Sequence, residues 1–390
     1  MEEQRKELID SYCGGKESLA DICRKFNISR KTAYKWSHRY EKEGFDGLRD
    51  QSKAPHHQSH KTSEETINHI ITLKHQKGSW GPKKIKARLE EDWPLINFPS
   101  TTTIGNILEE HGLTIPRKCR KKYSAKTDLL SQCQDSNDIW CIDFKGWFKT
   151  KDSVKCEPLT LTDAHSRYIL YCNKLGLNSA DYVWEALTKA FSKYGLPIYL
   201  RHDNGPPFAT LGAGRLSRLS VKLIKAGVIP EWIEPGKPYQ NGRHERMHLT
   251  LKKEAIFPLK LTLKEQQLKF VEFLKYYNYE RPHEALGQKT PGSIYKSSGR
   301  IWDGKLKTPE YLSEYQVRRL RGAGQLAWYG TDIQIGTTLG GEYVGLKENE
   351  EGEWSVYFGP VFLGTINHEK KFIQPKGKKG RNEYYKCRAY

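Results

Sequence analysis

Three carboxylates lie in settings where an unpartnered charge is costly, and the chemistry they suit is metal-dependent phosphoryl transfer. Asp143 falls in mid-strand among Trp140, Ile142, Phe144 and Cys141. Asp203 ends another apolar segment just before Asn204-Gly205-Pro206-Pro207, where the chain turns and leaves the side chain at a sheet rim. Glu245 opens a helix behind the Gly-containing loop GKPYQNG. Carboxylate oxygens suit hard ions such as Mg²⁺ or Mn²⁺, and a two-ion site would serve both the attacking and the leaving oxygen of a phosphodiester. On the Glu245 helix, Glu245, His248 and Lys252 are expected on one stripe, with Met247, Leu251 and Ala255 on the buried one. Lys252 then lies where a cation could hold a phosphate next to the reacting one, and Glu254, half a turn away from Glu245, is a poor ligand candidate. Taken singly, Asp203 before Asn-Gly also suits a turn, and Glu245 also suits the positive end of a helix. Asp163, in a hairpin setting, is expected to build a turn rather than to bind metal.

The elements that must bring these residues together are legible from periodicity. DIWCIDFKGWF alternates, with Ile139, Cys141 and Asp143 on one face and Trp140, Ile142 and Phe144 on the other. CEPLTLTD and RYILYCN follow as strands, and then comes a helix with the apolar stripe Val183, Leu187, Ala190 and Phe191. The strand IYLRHD, a helix around 215–226, the short strand EWIEP and the helix RHERMHLTLKKEA complete the order. Three strands, helix, strand, helix, strand, helix is the order of an RNase H-like α/β catalytic core, expected over residues 130–300.

Ahead of it, residues 1–50 read as a helix-turn-helix. Ser18 caps a helix carrying Leu19, Ile22, Cys23 and Phe26, Asn27 turns the chain, and Ser29 caps a second helix ending at Gly44. That second helix displays Arg30, Lys31, Thr32, Lys35 and Arg39, the candidate DNA contacts. Residues 62–126 hold a second such unit: Ile67, Ile70 and Ile71 face inward, Pro82 opens a helix with Ile85 and Leu89, Ser100 caps another, and the basic run RKCRKKYSAK follows. From 310 to 390, short aromatic and β-branched segments such as EYVGLK, EWSVYF and VFLGTI predict a small all-β C-terminal barrel. The expected architecture is therefore multidomain: helical helix-turn-helix units, an α/β core and a small β domain.

The chain has 390 residues and a formal net charge of +19, which calls for a polyanionic partner. It has no basic amphipathic helix or lipidation signal, so nucleic acid is favoured over a membrane face. The charged start MEEQRKELID and the lack of a long apolar run predict a soluble, cytoplasmic protein. The eight cysteines include no C-x-x-C pair, so no zinc knuckle is written, and His56 and His60 read as solvated linker residues.

The strings DIWCIDFKG, LTLTDAHSRY, RHDNGPPF, IEPGKPYQNGRHERMHLTLK and YNYERPHEALGQKTPGSIY resemble the integrase-type transposases of bacterial insertion sequences, and the resemblance spans nearly the whole chain. It implies that Asp143, Asp203 and Glu245 are the D, D and E of the catalytic triad. The spacing from Asp203 to Glu245 is longer than in retroviral integrases, as in some insertion-sequence relatives. The resemblance further implies end cleavage and strand transfer on double-stranded DNA, two Mg²⁺ or Mn²⁺ ions, a homo-oligomer on DNA and a place at the bacterial nucleoid. The rival readings are a DNA-binding protein that has lost catalysis, which an eroded triad would favour, and an RNase H-like nuclease without strand transfer.

Overall fold

Serine hydroxyls set several helix starts in the N-terminal part of the chain. The computed structural model describes residues 2–50, 62–114, 132–234 and 236–374. Residues 1–63 and 64–390 form separate compact units. In the first, α1 (Glu2–Cys13) is followed by α2 (Leu19–Lys25), capped by Ser18, and α3 (Arg30–Glu43), capped by Ser29. Asn27 and Gly44 take the left-handed conformation at the turn and at the end of α3, as their residue types predict. Helix α1 is not foreseen by the sequence reading. Its buried Leu8 and Ile9 join Ile22, Trp36 and Leu48 in the core, a third wall that two helices alone lack.

The second unit begins with α4 (Glu64–Gln76), α5 (Pro82–Asp92) and α6 (Thr101–Glu110), the last capped by Ser100. Ile70, Trp80, Ile85, Leu89, Ile104 and Leu108 form their core. Leu73, three residues after Ile70, is buried where Ile71 was expected, and Ile71 is only half-buried. These helices pack directly on the α/β core. Trp80 Nε1 donates to Tyr276 Oη at 2.6 Å, and Lys77 pairs with Glu280 at 2.7 Å. The basic run 117–126, the 51–61 linker with its histidines and most of the basic tail lie outside the described residues.

The core begins with β1 (Ile139–Phe144), then a small ribbon of β2 (Phe148–Lys149) and β3 (Lys155–Cys156). It continues through β4 (Pro158–Asp163), β5 (Ile169–Lys174), α7 (Ala180–Tyr194), β6 (Tyr199–His202), α8 (Arg218–Lys225), β7 (Ile229–Trp232), α9 (Gly242–Leu251) and α10 (Leu263–Tyr279). The main sheet has the order β5-β4-β1-β6-β7, with the first three strands antiparallel and β6 and β7 parallel to β1. Its two faces follow the predicted alternation. Trp140 and Ile142 face the core shared with Val183, Leu187, Leu219 and Leu223 of α7 and α8. Helices α9 and α10 form another core with Ile169 and Cys172 through Met247, Leu251, Phe270 and Phe273.

The C-terminal region is all-β. It comprises β8 (Gln316–Arg319), β9 (Gln325–Trp328), β10 (Thr331–Gln334), β11 (Tyr343–Glu348), β12 (Trp354–Phe358), β13 (Val361–Ile366) and β14 (Phe372–Ile373). A five-stranded antiparallel sheet, β14-β13-β12-β11-β8, shares one apolar interior with the β9–β10 ribbon. That interior also takes in Ala213, Leu216, Val221, Ile224 and Trp232 of the α/β core. The stretch between Asp203 and Glu245 therefore supplies the face on which the β region sits.

Candidate active site

Asp143 lies one residue from the end of β1, paired in register with Thr160 of β4. Asp203 follows directly on β6, and Glu245 occupies the first turn of α9. The sheet order puts β6 next to β1, so the two aspartates reach the same end of adjacent parallel strands. The Asp143 carboxyl is pushed up to about 7, first by burial and then by the negative charges of Asp203 and, more weakly, Glu245. The three carboxylates thus stand within electrostatic reach of one another. Asn241 Nδ2 approaches Asp143 Oδ2 at 3.5 Å, and the buried Asn241 Oδ1 has no hydrogen-bond partner. Asp203 also builds its turn, Oδ1 accepting from Gly205 N at 3.1 Å.

Among the described residues, no three His, Cys, Asp or Glu side chains are already drawn close enough to hold a metal ion. The donor chemistry nevertheless fits a hard divalent cation. The groups are carboxylate oxygens, with an unpartnered amide oxygen beside one of them, and their mutual repulsion is what a cation would relieve. Glu245 is exposed and Asp143 half-buried.

The helix that presents Glu245 is held by a polar network which the sequence reading assigned wrongly. His248 does not share the exposed stripe of Glu245 and Lys252; it is buried, as is His244. Both Nε2 atoms lie 2.7 Å from Thr160 Oγ1, and His244 Nδ1 lies 2.8 Å from Thr162 Oγ1. Thr160 Oγ1 is also 3.0 Å from the Asp143 carbonyl. With the single Thr160 proton donated to that carbonyl, both histidines must donate from Nε2, and His244 Nδ1 must accept from Thr162. His244, accepting at Nδ1, is therefore neutral, and burial favours the neutral form of both rings, pushing His244 down to about 3 and His248 to about 2. Two hydroxyls alternate in PLTLTD and two histidines stand four apart on α9, but nothing local pairs the one set with the other.

The other expected sites fall as follows. Lys252 is exposed just past α9, and its charge bears on Lys145, two residues after Asp143. Glu254 is committed elsewhere, pairing with Arg281 at 3.0 Å. Asp163 is fully buried and accepts from Asn137 N, Ser166 N and Ser166 Oγ, the turn-building role expected of it. On α3, Arg30, Lys31 and Lys35 are exposed, Thr32 is half-buried at the Ser29 cap, and Arg39 lies over the Trp36 ring at 5.2 Å. No helix among the described residues is long and apolar enough to cross a membrane.

Residues 226–291 match the family described as Integrase core domain, a span that contains Glu245 and Lys252 but neither aspartate. Residues 4–56 match a Helix-turn-helix domain and 32–108 a Homeodomain-like domain. The Insertion element IS407 uncharacterized 31.7 kDa protein of Burkholderia multivorans is 25% identical over 228 residues, covering 58% of this chain and 78% of that protein. The Insertion element IS476 uncharacterized 39.2 kDa protein of Xanthomonas euvesicatoria is 26% identical over 230 residues, covering 58% and 63%. Among solved structures, the HTLV-2 integrase catalytic core domain in complex with magnesium, in its trimeric form, is similar over 42% of this chain and 100% of its own, at 19% identity and a TM-score of 0.33. The simian T-cell lymphotropic virus intasome in complex with PP2A regulatory subunit B56 gamma covers 79% and 100%, at 14% identity and a TM-score of 0.37.

With helix-turn-helix matches ahead of an integrase core domain match, and insertion-element proteins among its relatives, the chain is similar to the integrase-type transposases of bacterial insertion sequences.

Proposed function

We propose that this chain cleaves the ends of a mobile element and transfers the exposed strands into target DNA, using Asp143, Asp203 and Glu245. The observation that carries the reading is the stressed Asp143 carboxyl, half-buried within electrostatic reach of two further carboxylates and pushed up to about 7. A protein that only bound DNA would gain nothing from that costly arrangement, whereas a site for divalent cations requires it.

The three carboxylates would hold two Mg²⁺ or Mn²⁺ ions, which supply activation of the attacking oxygen and stabilisation of the leaving one. The chain's own part is positioning. The Thr160, His244 and His248 network fixes α9 against β4, so Glu245 is presented to the strand that carries Asp143. Lys252 and Lys145 supply positive charge to hold flanking phosphates. Arg30, Lys31, Thr32, Lys35 and Arg39 on α3 contact the terminal repeats, mostly through phosphates and with a few side chains reading base edges. Because two ends are joined in one event, the working form is a homo-oligomer on DNA, placed at the nucleoid of a bacterial cytoplasm.

The test is strand joining by purified full-length protein on labelled duplexes carrying the element's terminal sequences, with Mg²⁺ and with EDTA. Glu245→Gln is expected to abolish joining and keep end binding. Joining by Glu245→Gln at the wild-type rate would overturn the site assignment.

A further inference from the structure

One residue after Asp143 the chain leaves the sheet, and it then presents an aromatic ring to solvent. Gly146 turns it at φ +82, and Trp147, 62% exposed, stands at the start of the β2–β3 ribbon. Trp147 is the most exposed tryptophan among the described residues. Four lysines lie on the same segment as Trp147: Lys145, Lys149, Lys151 and Lys155. Lys155 Nζ lies 5.6 Å from the ring centroid, and the charge of Lys252, just past α9, bears on Lys145. The ribbon is also rigid. Lys145 N donates to Pro158 O at 3.0 Å, Lys151 N to Lys260 O at 3.0 Å and Asp152 N to Leu261 O at 3.1 Å. Phe148 and Cys156, paired across the ribbon, pack into the core of Met247 and Leu251 on α9.

A fixed aromatic ring set among cations beside a phosphoryl-transfer site has the composition of a stacking platform for single-stranded nucleic acid. We propose that Trp147 stacks on an unpaired base of a DNA strand end, with Lys145, Lys149 and Lys151 holding its phosphates. This rests on the reading of Asp143, Asp203 and Glu245 as a DNA-joining site, and it adds a base-binding position to that site. The excess of lysine around the ring favours a polyanionic strand over a protein surface. An unpaired base fits better than one inside a duplex, because an indole needs a base face that is not already covered by a stacked neighbour.

The experiment uses the full chain with Ca²⁺ and two probes: a blunt duplex, and the same duplex ending in a short single-stranded overhang that carries 2-aminopurine. Wild type is expected to bind the overhang probe roughly tenfold more tightly and to change its fluorescence, the scale of one base stacked on an aromatic ring. Trp147→Ala should lose the preference and the fluorescence change at an unaltered melting temperature, while Trp147→Phe should keep most of both. Lys149→Ala should weaken both probes equally. A Trp147→Ala protein that retains the overhang preference overturns the proposal, as does one that changes only self-association, since the ring would then cover a second copy. Absence of joining by wild type with the preference intact would instead count against the transposase chemistry and leave the platform standing.

Discussion

At the scale of the residue, Asp143 carries the most consequence. Its carboxyl is raised to about 7 in the folded chain, against about 3.9 in an unfolded one. The folded state therefore binds the extra proton between those values, and stability falls as pH rises from about 4 to about 7 and stays low above it. Asp143→Asn removes the charge, so the metal-free variant is expected to melt above wild type at pH 8, by on the order of a few kcal/mol at most, and together with it in acid. Thermal melts in EDTA across that range check this, and a wild type that stays the more stable at pH 8 would show the carboxyl is not under stress. A divalent ion must displace the same proton, so added Mg²⁺ should raise the wild-type melting temperature more at pH 8 than at pH 6.

At the scale of the element, α9 is positioned by two neutral histidines on one strand hydroxyl. Thr160→Val keeps the volume and removes the acceptor, leaving two buried imidazole N–H groups unpaired at about 1–3 kcal/mol each. A lower melting temperature is expected, with strand joining reduced more than end binding because Glu245 rides on the displaced helix. Thr160→Ser should restore both. If Thr160→Val joined ends normally, α9 would be held by its apolar face alone. The same histidines make the fold sensitive to acid. Their folded pKa values lie below the unfolded 6.5, so the stability present above about 6.5 is lost as pH falls from there toward about 3.

At the scale of the whole second unit, neither flanking region is an appendage to the α/β core. Lys77 and Trp80 bind α10 and the residue that follows it through Tyr276 and Glu280, and the Glu254–Arg281 pair lies in the same contact region with Ser79. On the other side, Leu216, Val221, Ile224 and Trp232 finish the interior of the β region, and Lys225 meets Glu342 at 2.8 Å. A chain ending at Glu310 would expose those four apolar residues to water. It is expected to aggregate or to melt well below the intact protein, read by solubility and calorimetry. A soluble, equally stable truncation would show that the core is complete without the β region.

The sequence by itself determined what depends on local periodicity and residue type. Alternation along Ile139–Phe144 assigned the two faces of β1, and Ser18, Ser29 and Ser100 marked three helix starts. The costly placement of Asp143 was visible because a charge among Trp, Ile and Phe needs no tertiary information to be recognised as unusual. Helix α1 stayed hidden because its two buried residues are a weak stripe in a charged run. The inward turn of His248 was hidden for another reason. Burial of a histidine depends on the hydroxyl across from it, and that hydroxyl lies on a strand more than eighty residues earlier. The packing of the β region on residues 209–232 was equally out of reach, since an apolar face in a sequence does not say which distant face will cover it. Those pairings are long-range, and only the folded chain makes them.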